Sequence, residues 1–376
     1  MTTRFGFVST FPPTQCGLAT FTAALRGALL HGTADEGWVV RLVDSAQPRP
    51  GDEVVAQLVA GDSDSVHRAA EQLNLCDVAI VQHEYGVYGG ADGSEILHLL
   101  DRVRVPCVVV LHTVLADPTP HQRQVLESVM AKASAVVTMT MTARERLTAG
   151  YTADMTKVCV IAHGAPALET TMAEPAFRTG QFTVLTWGLL GPGKGIEWGI
   201  EAMAMLRDLQ LMPRYMVAGQ THPKVLLREG EAYRDRLLEQ VRHGELGPWI
   251  TFEGHYRNTS ALASLIRSAD VVLLPYDSAE QVTSGVLIEA VAAGKPVVAT
   301  QFPHAVELLA GGAGLLVPHR DPAAIAAALR SMITRRDVMT RMAAAAAATA
   351  PRLLWPAIAG QYRDLAGQLI TARVAA

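Results

Sequence analysis

The feature that most constrains this chain is an alternation. Short runs rich in valine, isoleucine and leucine, bounded by Gly, Pro or Asp, alternate with longer stretches of helical pattern. Near-continuous apolar runs are what strands buried on both faces look like, and strands separated by helices imply parallel βαβ units. In the first half the runs are 4–9, 38–43, 77–82, 106–111, 135–139 and 157–161; in the second they are 182–187, 215–218, 249–252, 270–274, 296–300 and 314–317. Each half therefore holds about six strands, the size of one doubly wound domain. The expected class is α/β: two Rossmann-like, doubly wound parallel-sheet domains facing across a cleft.

The length of 376 residues and an apolar content of 49% suit two packed cores and exclude disorder. The expected boundaries are an N-terminal Rossmann-like domain over 1–165, a polar linker over 166–181 containing Pro166, Pro175 and Gly180, and a C-terminal Rossmann-like domain over 182–350. After Pro322 the chain reads as helix, including the alanine-rich run 342–350, because alanine is the best helix former. A final helix occupies 351–376 and contains Trp355 and Tyr362.

The formal net charge is -4, which is not the footprint of a nucleic-acid binder. Arg335 and Arg336 read as a solvated helix face. The four cysteines, Cys16, Cys76, Cys107 and Cys159, match no zinc or redox spacing. Residues 4–9 read as a strand and not as a secretory signal. No apolar run reaches the ~18–20 residues that span a bilayer. The expectation is a soluble, cytoplasmic protein, with peripheral membrane contact left open.

Open parallel sheets bind ligands at the carboxyl ends of their strands, and there the unusual residues fall. The first strand runs into a loop with Pro12, Pro13, Cys16 and Gly17, and a helix begins near Leu18. A glycine at a helix start permits close backbone approach, and the free N–H groups attract anions; an ordinary proline-bearing loop would read the same way. Strand 182–187 leads into loop 188–195, which holds Gly188, Gly191, Gly193, Lys194 and Gly195. Glycines and one lysine between strand and helix suit a phosphate cradle. The loop nearly matches a nucleotide-binding P-loop, but Gly195 stands where Ser or Thr would hold magnesium.

Strand 270–274 is followed by a polar loop and a helix over 286–293 that stops at Gly294. Thr283 or Ser284 caps that helix. Glu289 falls one turn into an otherwise apolar helix, where a carboxylate is costly without hydrogen-bond donors. Ribose hydroxyls would supply them; a solvated or salt-bridged Glu is the plain alternative. His112 ends one strand, and His83, Glu84 and Tyr85 end the strand before it. A lone histidine is more often structural, but two adjacent strand ends of this kind favour function.

Taken together, these segments resemble the family-4 retaining glycosyltransferases of GT-B fold. The resemblance runs over essentially the whole chain: the proline-rich first loop with Gly17, His112, loop 188–195 with Lys194, the segment 281–289 with the following 290–298, and Trp355. It implies that Gly17 lies against the donor diphosphate, with Gly188 and Gly193 in the cradle from which Lys194 contacts phosphate oxygens. It implies that Glu289 binds the ribose, and that Gln281, Thr283, Ser284 and Gly285 line the donor sugar and diphosphate. His112 would touch the transferred sugar, and His83, Glu84 and Tyr85 would lie towards the acceptor. The catalytic set is then His112, Lys194 and Gln281. The last helix of such enzymes commonly packs back on the first domain.

Two positions depart from the family pattern. Gln281 stands where the first of two glutamates is usual, the second being Glu289, and the segment reads as a variant found in some branches. Leu189 stands where many relatives carry an arginine; Arg257 and His222 are candidates to replace that cation, and the segment 219–223 would border the nucleotide. The resemblance implies transfer of a hexose (mannose or glucose), with retention, from a GDP-mannose or UDP-glucose type of donor to a hydroxyl acceptor. The acceptor class, whether saccharide, lipid-linked or small molecule, has no readable code. No cofactor and no metal are called for, since no Asp-x-Asp motif sits in a cleft loop. The rival readings are a sugar-nucleotide 2-epimerase and a non-catalytic sugar-nucleotide-binding subunit. An NAD-dependent enzyme is disfavoured because the first loop lacks Gly-x-Gly-x-x-Gly.

Overall fold

Strands apolar on both faces must lie between two helix layers, and the computed structural model contains two such sheets. It describes residues 2–167, 181–255, 257 and 259–375. The first sheet comprises β1 (Arg4–Ser9), β2 (Glu36–Val43), β3 (Val54–Val59), β4 (Val78–His83), β5 (Cys107–Leu111), β6 (Ala135–Thr138) and β7 (Val158–Val160). Their spatial order is β3-β2-β1-β4-β5-β6-β7, with every pairing parallel. The second comprises β8 (Thr183–Trp187), β9 (Arg214–Ala218), β10 (Ile250–Glu253), β11 (Val271–Leu274), β12 (Val297–Thr300) and β13 (Gly314–Val317). These lie in the order β10-β9-β8-β11-β12-β13, again all parallel.

The sequence reading placed about six strands in each half; β3 is an addition. It is an edge strand whose side chains alternate between buried and half-buried. The central strands are sealed: every residue of β4, β5 and β11 is buried. Strand order reverses between β1 and β4 in one sheet and between β8 and β11 in the other. These are the two topological switch points, and the loops that leave them are the natural ligand sites of doubly wound sheets.

The chain divides into two compact units, Met1–Gly164 with Trp355–Ala376, and Ala165–Leu354. Residues 168–180, most of the linker expected from the sequence, lie outside the described residues. The last helix, Trp355–Ala375, belongs to the first unit, where Trp355, Ile358, Ala359 and Tyr362 share a core with Phe21, Leu25 and Leu29 of the helix Gly17–Leu30. Burying each large apolar side chain stabilises by roughly 1.5–3 kcal/mol. Arg363 Nη2 donates to the Leu29 carbonyl at 2.7 Å and ties the two helices together. A Cβ on Gly164 would overlap the Trp355 ring, so the absence of a side chain there admits the indole.

Candidate functional site

In the second unit the switch-point loops converge. Loop 188–195 leaves β8 and is held against the segment 219–223 beyond β9. Gly188 N donates to Ala218 O at 3.0 Å, Leu190 N to Gln220 O at 2.8 Å, and His222 N to Leu190 O at 2.8 Å. Gly219 has φ +150, and a Cβ there would collide with the Gly188 carbonyl. Gly195 has φ +63, and a Cβ there would collide with the Pro275 carbonyl. The two glycines therefore let three loops close on one another. Gly193 is different: nothing lies within 4 Å of its added Cβ, so only its φ of +86, and no neighbouring atom, favours glycine there.

Lys194 is half-buried, with Nζ 4.4 Å from the centre of the Tyr276 ring. No carboxylate pairs with it among the described residues. The loop after β11 is anchored beside it: Asp277 N donates to Gly193 O at 3.0 Å, and Trp198 Nε1 donates to Asp277 Oδ1 at 2.8 Å. Arg320 stands 3.5 Å from the same carboxylate oxygen. The Tyr276 carbonyl accepts from Thr300 Oγ1 at 2.6 Å and meets His319 Nδ1 at 2.8 Å.

Ser284, not Thr283, caps the helix Gly285–Ala292, its Oγ accepting from Leu287 N at 3.3 Å. Ser284 N donates to Nδ1 of the buried His304 at 2.8 Å, so a histidine behind the loop orients the cap. Gln281 Nε2 donates to Thr283 O at 3.0 Å and lies folded along its own loop. Thr283 Oγ1 is enclosed with no hydrogen-bond partner.

Glu289, one turn in, accepts from Trp187 Nε1 at 3.2 Å. Burial raises the Glu289 carboxyl to about 7, and the indole hydrogen bond offsets part of that rise. Near neutrality it is therefore a carboxyl poised between donor and acceptor. Gly188 completes the grouping: its added Cβ would touch Val286, next to Gly285. The structure thus gathers Gly188, Lys194, Ser284, Gly285 and Glu289 at the carboxyl ends of β8 and β11. The proposed replacements for the cation at Leu189 are both engaged. Arg257 pairs with Glu253, and His222 Nδ1 caps its own helix from 3.1 Å; its pKa is lowered by burial and by Lys224 and Lys194.

In the first unit Gly17 opens a helix capped by Cys16 with no side-chain cap bond, and a Cβ on Gly17 would meet nothing within 4 Å. That helix start carries no acidic residue, so no side chain of its first turn neutralises the partial positive charge of its N–H groups. The preceding loop is gripped from below by the buried Arg41, which donates to Phe11 O at 3.2 Å and to Thr14 Oγ1 at 2.9 Å.

His112 follows β5. Its Nε2 bonds Gln82 Oε1 at 2.7 Å, and its ring stands edge-on to Phe21 at 5.0 Å. Phe21 also meets His163 at 4.9 Å and Trp355 at 5.2 Å. His83 is fully enclosed with neither ring nitrogen bonded, and Tyr85 stacks edge-on over it at 5.3 Å. Burial pushes His83 and His163 down to about 4 and His112 to about 3, so all three are neutral at pH 7. Glu84 accepts from Tyr85 N at 3.0 Å and from Thr113 Oγ1 at 2.5 Å.

Trp187, Tyr276, His304, Gln82 and Arg41 were not singled out from the sequence. Each acts through partners far along the chain. The only sequence signal was position: Trp187, Gln82 and Arg41 lie at or near carboxyl ends of strands.

Residues 181–335 match the family model described as glycosyl transferases group 1. The chain is 28% identical over 254 residues to a glycogen synthase of Mycobacterium tuberculosis, covering 64% of this chain and 58% of that one. It is 29% identical over 276 residues to a D-inositol 3-phosphate glycosyltransferase of Nocardia farcinica, covering 68% and 59%. It thus spans somewhat under two thirds of these relatives' own length. Among solved structures, HepE of Anabaena in complex with UDP superposes with a TM-score of 0.76 at 18% identity, covering 97% of this chain and all of that one. Sucrose-phosphate synthase of Thermosynechococcus elongatus superposes at 0.78 with 19% identity, covering 98% and 100%. Two all-parallel sheets, converging glycine loops at the switch point of the second and these likenesses agree: the chain has the GT-B fold, and residues 181–335 of its second unit match the glycosyl transferases group 1 model.

Proposed function

We propose that this protein is a retaining glycosyltransferase that moves a hexose, mannose or glucose, from a nucleoside-diphosphate sugar to a hydroxyl acceptor without a metal. The observation that carries the reading is one cluster: Lys194 in its glycine loop, the Ser284-capped helix start, and Glu289 one turn below it. That is a cation and a helix dipole for a diphosphate, with a carboxyl for a ribose. Anabaena HepE has been solved with UDP and with UDP-glucose, which supports a nucleotide sugar as ligand.

The chemistry follows from charge. Cleavage of the bond between the anomeric carbon and the diphosphate oxygen leaves that electron pair, and a negative charge, on the leaving group. Lys194 and the N–H groups at Gly285 are fixed before reaction and stabilise the charge as it develops. Gly17, at a helix start with no acidic residue in its first turn, is assigned to the diphosphate as well. Neutral His112 serves a sugar hydroxyl by hydrogen bonding, not by charge. Gln281, Thr283 and Gly188 line the donor, while Glu84 and Tyr85, backed by His83, serve the acceptor. The acceptor proton passes to a donor phosphate oxygen in this scheme, since no residue is assigned as general base.

Calorimetric and thermal-shift titration with GDP, UDP, ADP and their hexose conjugates tests the proposal. Selective stabilisation by one diphosphate fixes the donor class. No binding by any of them overturns it.

A further inference from the structure

We infer that Gln82 is a positioning residue for His112: it holds the imidazole as the Nε2–H tautomer and so makes Nδ1 the acceptor for a hydroxyl of the bound sugar. The contact with sugar rests on the transferase reading; the tautomer does not.

Strand register sets up the pair. Gln82 lies opposite Val110 on β5, and His112 follows two residues later, so both side chains project from the same face of the sheet. Their backbones are pinned. His112 N donates to His83 O at 3.0 Å, and Tyr88 Oη donates to the Gln82 carbonyl at 2.6 Å. Gln82 is 0% exposed and its Oε1 lies 2.7 Å from His112 Nε2. An amide oxygen only accepts, so Nε2 carries the hydrogen. A neutral imidazole has one donor and one acceptor, which leaves Nδ1 with its lone pair. Burial, reinforced by His163 and His83, keeps the ring neutral. Nδ1 has no hydrogen-bond partner among the described residues. The Phe21 ring, edge-on at 5.0 Å, holds the imidazole plane.

Stability does not explain the glutamine. Its Nε2 is buried without a partner, and an orphaned buried donor is destabilising. A methionine of similar volume would fill the space without that penalty. What methionine lacks is the acceptor that selects a tautomer. Partners that fix a histidine's tautomer are worth roughly 10–100-fold in metal-bound histidines, and a loss of that order is expected here.

The test is a long-range ¹⁵N–¹H correlation spectrum of the full-length protein labelled in histidine, with His112 assigned by its disappearance in His112→Asn. The wild type should show a single neutral Nε2–H form near pH 7. Gln82→Met should show a mixture of tautomers, with kcat for the donor found to bind falling roughly 10–100-fold and KM and nucleoside-diphosphate Kd changing far less. An Nδ1–H form in the wild type overturns the inference, as does an unchanged tautomer in Gln82→Met, or a changed tautomer with unchanged kcat. Should no donor sugar be turned over at all, the transferase reading falls, while the spectrum still decides the tautomer.

Discussion

Trp187 Nε1 donates to Glu289 Oε2 across 3.2 Å, joining two residues 102 positions apart. One ends β8 and the other lies in the helix after β11, so the bond spans the switch point of the second sheet. It leaves the other carboxyl oxygen of Glu289 for a ligand. Nucleotide affinity should therefore fall in Glu289→Ala; calorimetry with the selected diphosphate decides, and unchanged affinity removes the ribose assignment.

The same carboxyl predicts a pH dependence. Its pKa is raised from an ordinary 4.5 to about 7, chiefly by burial. Between those values the native state holds a proton that the unfolded chain has released, so stability falls as pH rises through the window. Glu289→Gln should remove this fall, gaining on the order of 1–3 kcal/mol over wild type at about pH 8 relative to about pH 4. Urea unfolding at both pH values checks it; parallel pH slopes would mean an unperturbed carboxyl.

Lys194→Ala should abolish most turnover while the protein melts nearly as before. Its contact with Tyr276 stabilises by about 0.5–1 kcal/mol, whereas removing one preorganised charge-stabilising group costs roughly 10²–10³ in kcat. A large drop in melting temperature instead would make Lys194 a structural residue.

Gly195 and Gly193 should respond differently to alanine. Gly195→Ala places a Cβ on the Pro275 carbonyl at φ +63, and both stability and nucleotide affinity should suffer, stability by about 1–3 kcal/mol. Gly193→Ala meets open space at φ +86, so about 1 kcal/mol of backbone strain is the whole folding cost. Denaturant titration of the two variants side by side separates them.

Trp355→Ala should destabilise the first unit by about 3–5 kcal/mol, as loss of a buried indole does. Gly164→Ala, which drives a methyl into that ring, should cost about 1–3 kcal/mol. A Gly164→Ala protein as stable as wild type would show that the indole is free to shift.

The division between sequence and structure follows from the range of the forces. Runs such as Val-Ala-Ile-Val at 78–81 advertise burial on both faces, so the class, the parallel sheets and the glycine loops were legible from local pattern alone. The strand β3, bracketed by Gly51 and Gly61, carries a weaker local signal, because only every second side chain is fully buried. Lys194 and Glu289 stood out because a cation among glycines and an acid in an apolar helix are anomalies in their own neighbourhoods. Gln82, Trp187 and His304 are unremarkable beside their chain neighbours. Their roles arise from hydrogen bonds to residues 30, 102 and 20 positions away. The choice of Ser284 over Thr283 as cap likewise turned on which hydroxyl the folded loop aims at Leu287 N. Burial preference is a property of each residue and its period, and the sequence alone determined it. Hydrogen bonds are short and directional, so which polar groups meet was decided only when the strand registers brought distant residues within 3 Å or so of one another.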